Sequence, residues 1–258
     1  MPPNPRPARL PTDAKTALRW VYLGGMHLLL LAALATSDFL PMVAEKLGLR
    51  NAADFRNRSF QARMLDCHAR VDANVPAGAV VFIGDSTIQG LCVSAIAAGA
   101  VNYGIAGDTT RGVLSRLPAY PSLDRARAIV VSVGVNDLSG LPDRKIVRNW
   151  AAIADGLPAH VPTFFVAILP IDESRQPRWA GRNRGLIRSL NERLAAQLAR
   201  RENRHFVDPS ARLQDATGNL APDFHVGDGL HLNAAGNAVL IDALGAALET
   251  AGGTRPPP

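Results

Sequence analysis

Five short apolar runs punctuate the chain: "AVVFI" (79–83), "AVNY" (100–103), "AIVVSV" (128–133), "TFFVAI" (163–168) and "HFV" (205–207). Runs of this kind, lacking regular polar alternation, read as strands covered on both faces. Longer helical stretches separate them. In 183–202, Leu186, Leu190, Leu194 and Leu198 recur at four-residue intervals and mark one buried face. Strands alternating with helices specify an α/β domain, a parallel sheet with helices on both sides. At 258 residues the chain can hold one such domain, expected over 79–250, with extra segments at its ends.

An open parallel sheet places its working site beyond the carboxyl ends of its strands. Four polar motifs fall there. "GDS" follows the first run, "GIAGDTT" (104–110) the second and "GVND" (134–137) the third, while "DGLHLNAAG" (228–236) leads into the last helix. Ser86, where the first strand must turn, suits a helix cap as well as a nucleophile. A serine hydroxyl needs a base to react at neutral pH. His231 stands three residues after Asp228, a spacing that lets the carboxylate accept from one ring nitrogen while the other faces a serine. His225, flanked by Asp223 and Asp228, is the alternative base. The group Asp223, His225, Asp228 and His231 is an alternative metal or structural cluster. His27, His68, His160 and His205 have no acidic partner at a regular spacing.

Acyl transfer needs donors aimed at the oxyanion that develops. The amide of Gly107 in a tight turn, the side-chain amide of Asn136 and the amide of Ser86 itself are the candidates. Asp108 or Thr109 could open the following helix. A phosphate-binding turn is the competing reading of "GIAGDTTRG", but a Gly-Lys-Ser/Thr ending is missing and the spacing departs from the dinucleotide fingerprint.

In order and together, "GDS", "GIAGDTT", "GVND" and "DGLH" resemble the four blocks of the SGNH hydrolases, also called the GDSL esterase and lipase family. The resemblance implies a flavodoxin-like three-layer α/β/α sandwich and ester hydrolysis with no metal or cofactor. It implies Ser86 as nucleophile, His231 as general base then acid, and Asp228 as its orienter. Ser86, Gly107 and Asn136 become the oxyanion donors. Thr87 stands where the family name has Leu, next to the nucleophile, and can alter the pocket wall. The leading expectation is a short-acyl esterase, removing O-acetyl groups from a glycan or small ester. A lysophospholipase or thioesterase at the membrane, an O-acyltransferase and an anchored ligand-binding module are the alternatives. The loop "LPIDESRQPRWAGRN" (169–183) should overhang the same edge as a lid or acceptor face, through Trp179, Arg175, Arg178 and Arg182, or else be a solvated surface loop; Trp150 is expected to pack.

The ends carry separate expectations. Residues 1–19 form a basic, Pro-rich leader, 20–37 hold no formally charged residue, 38–78 read as a linker and packing helix, and 251–258 as a disordered tail. The 20–37 segment just reaches the length that crosses a bilayer and is read as a membrane anchor. Arg6, Arg9, Lys15 and Arg19 before it favour a domain pushed outward, beyond the inner membrane in a bacterium, although Lys46, Arg50, Arg56 and Arg58 follow it. Ala33, Leu34 and Ala35 also fit a signal-cleavage site, which would release the domain. A buried core helix is the bland alternative. In 51–78, Phe55, Phe60, Met64, Leu65 and Val71 recur at helical spacing. The net charge of +6 rests on scattered arginines with lysine only at 15, 46 and 145, so no nucleic-acid partner is expected. Cys67 and Cys92 are expected as two buried thiols, or as one bridge if the domain is exported.

Overall fold

The computed structural model describes residues 12–36, 52–179 and 181–250. The expected tail 251–258, residues 1–11 of the leader and residues 38–51 of the linker lie outside the described residues. The chain divides into two compact units, Met1–Arg58 and Ser59–Pro258.

In the first unit α1 spans Thr12–Thr36. Leu28, Leu29, Leu30 and Leu31 are 58–70% exposed, so four successive positions covering most of the helix circumference are apolar and uncovered. Ser37 and the side chains of 33–36, the end of the expected anchor, lie outside the described residues. Among the described residues no helix is long and apolar enough to cross a membrane.

The second unit is built on five parallel strands, β1 (Val80–Gly84), β2 (Val101–Gly104), β3 (Ala128–Ser132), β4 (Thr163–Val166) and β5 (Arg204–Val207), in the order β2-β1-β3-β4-β5. The pleat divides each strand between two cores. Val81, Ile83, Ile129, Val131 and Phe165 face one side. They pack there with Val113 of α4 (Thr110–Arg116), Ile146, Trp150 and Ile153 of α5 (Asp143–Gly156), and Leu190, Leu194 and Leu198 of α6 (Arg188–Leu198). Val80, Phe82, Val130, Phe164 and Val166 face the other side. They meet Ile88 of the one-turn α3 (Ser86–Gln89) and Leu240, Leu244 and Leu248 of α8 (Ala234–Thr250); a short α7 (Ser210–Leu213) lies between β5 and α8. The result is the expected three-layer α/β/α arrangement.

Helix α2 (Ala52–Asp72) carries a different buried face from the one its apolar spacing suggests. Phe55 lies outside the described side chains, Phe60, Met64 and Leu65 are half-buried, and Val71 is exposed. Among the described side chains of this helix the buried ones are polar, His68 and Asp72. They are accommodated because Asp72 accepts from Tyr103 Oη and from the amide and hydroxyl of Ser122, while His68 meets Tyr120 Oη. Both cysteines are free and exposed, correcting the expectation of buried thiols: Cys67 lies beside Arg70 on the open side of α2, and Cys92 beside Ser94 in a turn. The expected helix over 183–202 begins with a π-turn, Arg182–Ile187, and only then becomes α6.

Candidate active site

β1 ends at Gly84 because the sheet leaves no room for a side chain there: a Cβ would sit 2.0 Å from the carbonyl oxygen of Ser132. Asp85 then caps α3, its Oδ1 accepting from the amide of Thr87 at 2.9 Å. Asp85, not Ser86, is therefore the cap. Ser86 occupies the first helical position and its hydroxyl is left to meet His231. With four residues, α3 contributes little dipole at Ser86.

Ser86 Oγ lies 3.0 Å from Nε2 of His231, and Nδ1 of His231 lies 2.5 Å from Oδ2 of Asp228. The other oxygen of Asp228 accepts from the amides of Leu230 and His231. Burial pushes the Asp228 carboxyl up, but the hydrogen bonds from the His231 ring and those amides outweigh it and hold the group below its ordinary value. The carboxylate thus stays ionised and fixes the ring so that the free nitrogen can take a proton from Ser86. The His231 side chain is 45% exposed, leaving the site open to a bulky substrate.

The Gly107 turn follows β2, with φ at +73°, a region that favours glycine. It is tied to the Ser86 turn by Ile105 N donating to Gly84 O and Ala106 N donating to Gln89 Oε1. Thr109 caps α4 by accepting from Gly112 N. Asn136 follows β3 and donates its Nδ2 to Asp108 O at 2.8 Å, beside Gly107. Asp137 accepts from both the amide and the hydroxyl of Thr110, locking the third motif to the second.

His225 is not placed as a base. Its Nδ1 accepts from the amides of Gly227 and Gly229, which puts the proton on Nε2, 3.5 Å from Asp172 Oδ2. At that separation the contact is electrostatic rather than a hydrogen bond, and Nε2 has no hydrogen-bond partner. His225 instead braces the loop that presents Asp228 and His231. The loop after β4 completes the brace: Asp172 N donates to Gly229 O, and Gln176 Nε2 to Asp228 O. Among the described residues no group of three or more His, Cys, Asp or Glu converges to hold a metal. Trp179, expected on a lid, is 1% exposed and packs in the core with its ring N–H on Ser139 Oγ; Trp150 is buried as expected. Arg175 is exposed, Arg182 is half-buried, and the Arg178 side chain lies outside the described residues.

Three buried carboxyls, Asp85, Asp108 and Asp137, support the site, and burial raises all of them. Asp85 reaches about 6, through burial first, with the Thr87 hydrogen bonds opposing it and Asp108 and Asp137 adding repulsion. A carboxyl whose folded value is raised favours the folded state most at low pH, and that contribution fades as pH climbs toward 6. Asp85→Asn keeps a capping oxygen but cannot ionise. The expected result is a higher melting temperature than wild type above pH 7 and a smaller loss of stability between pH 4 and 6. Equal melting temperatures at pH 7.5 with parallel pH profiles would count against it.

The GDSL-like lipase/acylhydrolase family model matches residues 82–239. The chain belongs to that family. It is accordingly a carboxylic ester hydrolase. Among solved structures, it resembles a Streptococcus pneumonia protein assigned as a platelet activating factor, at 23% identity and TM-score 0.69 over 77% of this chain and 100% of that one. A GDSL-like lipase from Bacteroides thetaiotaomicron aligns at 21% identity and TM-score 0.63, over 72% and 98% of the two chains. A carbohydrate esterase family 3 structure from Talaromyces cellulolyticus aligns at 14% identity and TM-score 0.52, over 67% and 97%. At these identities the likenesses establish the fold. No curated protein matches the chain.

Proposed function

We propose that the chain removes short acyl groups, chiefly acetyl, from a glycan or small ester through an acyl-enzyme on Ser86. The observation that carries the reading is the continuous Ser86–His231–Asp228 hydrogen-bond chain. As Ser86 Oγ bonds to the ester carbonyl carbon, His231 Nε2 takes its proton. The carbonyl oxygen becomes an oxyanion held by the amides of Ser86 and Gly107 and by Asn136 Nδ2. Collapse breaks the bond to the alcohol, which leaves with the proton from His231. Water then adds to the acyl-enzyme with His231 again as base, and the carboxylic acid departs from a restored Ser86.

Two features support a small acyl group on a large acceptor. Thr87, Val135 and Leu230, the chain neighbours of Ser86, Asn136 and His231, line a cavity of about 20 Å³ together with Asp85, Ser132 and Ile168, and an acyl group that entered it could be little larger than a methyl. The exposure of His231 leaves the opposite side open. The use of this fold by a carbohydrate esterase agrees with a glycan acceptor. We also propose that α1 anchors the chain to a membrane with the site outside; the uncovered run Leu28 to Leu31 supports this, since four successive exposed leucines have no covering core, although the described helix is not by itself long and apolar enough to cross. That same helix favours the second reading, a lysophospholipase or thioesterase working at the lipid surface.

The test pairs fluorophosphonate labelling with a series of p-nitrophenyl esters. A single adduct on Ser86 and a steep fall in kcat/KM beyond butyryl are expected. A rise toward octanoyl selects the second reading, and a folded chain that takes no adduct removes the acyl-enzyme.

A further inference from the structure

Arg116, the last residue of α4, is 4% exposed and spends its guanidinium almost wholly on the segments that carry the proposed oxyanion donors. Nη2 donates to Gly84 O at 2.9 Å, two residues before Ser86. Nη1 donates to Tyr103 O at 2.9 Å, at the end of β2 just before the Gly107 turn. Nε donates to Asp108 Oδ2 at 2.8 Å, and the backbone carbonyl of that same Asp108 receives Asn136 Nδ2. A second bond from Nη1 goes to Tyr120 Oη at 2.8 Å.

We propose that Arg116 is a positioning residue that sets the spacing of all three oxyanion donors, and that α2 holds it in place through His68 and Tyr120. The inference rests on the serine-hydrolase reading above. A guanidinium is planar, and its donors diverge at fixed angles, so bonds to acceptors on two strand ends and one turn hold those backbones at a set separation. An ammonium has the charge without the fork. Oxyanion donors act by being in place before charge develops, so misplacement is felt in the transition state more than in substrate binding.

The support extends outward. Because Tyr120 Oη accepts from Arg116, its own proton is available to His68 Nδ1 at 3.2 Å. Burial, and then the charge of Arg116, lowers His68 to about 4, which keeps the ring neutral and able to accept. Tyr120 stacks on Tyr103 with ring centroids 4.4 Å apart, and Tyr103 Oη is fixed by Asp72 of α2. His68 and Asp72 precede the 82–239 segment that defines the family, so the support of the site begins outside it.

The experiment uses the full chain with p-nitrophenyl acetate, comparing wild type, Arg116→Lys and Tyr120→Phe for kcat, KM, melting temperature and the rate of fluorophosphonate labelling at Ser86. Arg116→Lys is expected to lower kcat about 10- to 100-fold with little change in KM, short of the loss from deleting a donor outright. Tyr120→Phe should lower kcat several-fold in the same manner. Labelling should slow in parallel. A purely structural arginine would lower the melting temperature and leave kcat per folded molecule at the wild-type value; that result in Arg116→Lys, or in Tyr120→Phe where Arg116→Lys does not fold, overturns the inference alone. Absence of an adduct on wild-type Ser86 overturns the serine-hydrolase reading and this inference with it.

Discussion

Ser86→Ala is expected to abolish ester turnover, with kcat falling by about 10⁴-fold or more, while the protein folds as before. The two halves of that expectation have separate origins. The hydroxyl is the atom that would bond to the acyl carbon, and the methyl group replacing it cannot do so. Stability is spared because Asp85 does the capping, so the serine hydroxyl is not needed to start α3, and its partner His231 is already held by Asp228 and accessible to water. Circular dichroism and a melting curve should therefore overlay wild type within a few degrees. Appreciable turnover by the purified variant would remove Ser86 from the nucleophile's role, and a collapsed melting curve would show that the residue is structural.

Asn136→Ala should lower kcat by about 100- to 1,000-fold, with KM changed much less. Its Nδ2 has two hydrogens, one of which goes to Asp108 O, leaving the other for the oxyanion. The variant loses the donor and also frees Asp108 O, so a stability loss of about 1 kcal/mol accompanies the rate effect. The split between kcat and KM is the informative readout. A matching rise in KM at constant kcat would mean that Asn136 binds substrate in the ground state instead.

Much of this architecture is legible in the chain because its signals are local. The apolar runs of β1, β3 and β4 are buried on both faces, which is the condition that removes polar alternation from a strand, so the pattern and the sheet have one cause. Asp228 and His231 are likewise legible as a pair, since three residues of loop suffice to bring them together. What escapes is whatever depends on distant partners. Trp179 sits in a polar, arginine-rich loop that reads as surface, yet its ring enters the core and its N–H reaches Ser139, 40 positions earlier in the chain. His225 resembles a base until Gly227 and Gly229 are seen to occupy its Nδ1. Arg116 carries no local mark at all: its four acceptors come from positions 84, 103, 108 and 120, and no periodicity connects them. The exchange of roles between Asp85 and Ser86 is subtler, because either side chain caps well and only the backbone angles at Asp85 decide.

Ser86 and His231 meet across 145 positions of chain, and the loop that carries His231 runs into α8, whose leucines pack against β1, β3 and β4. The proposed nucleophile and its proposed base thus stand on separate elements held together by the packing of one face of the sheet. A molecule in which α8 is detached from that face holds a serine with no partner to activate it, so the docking of one helix and the reactivity of the serine are expected to be lost together.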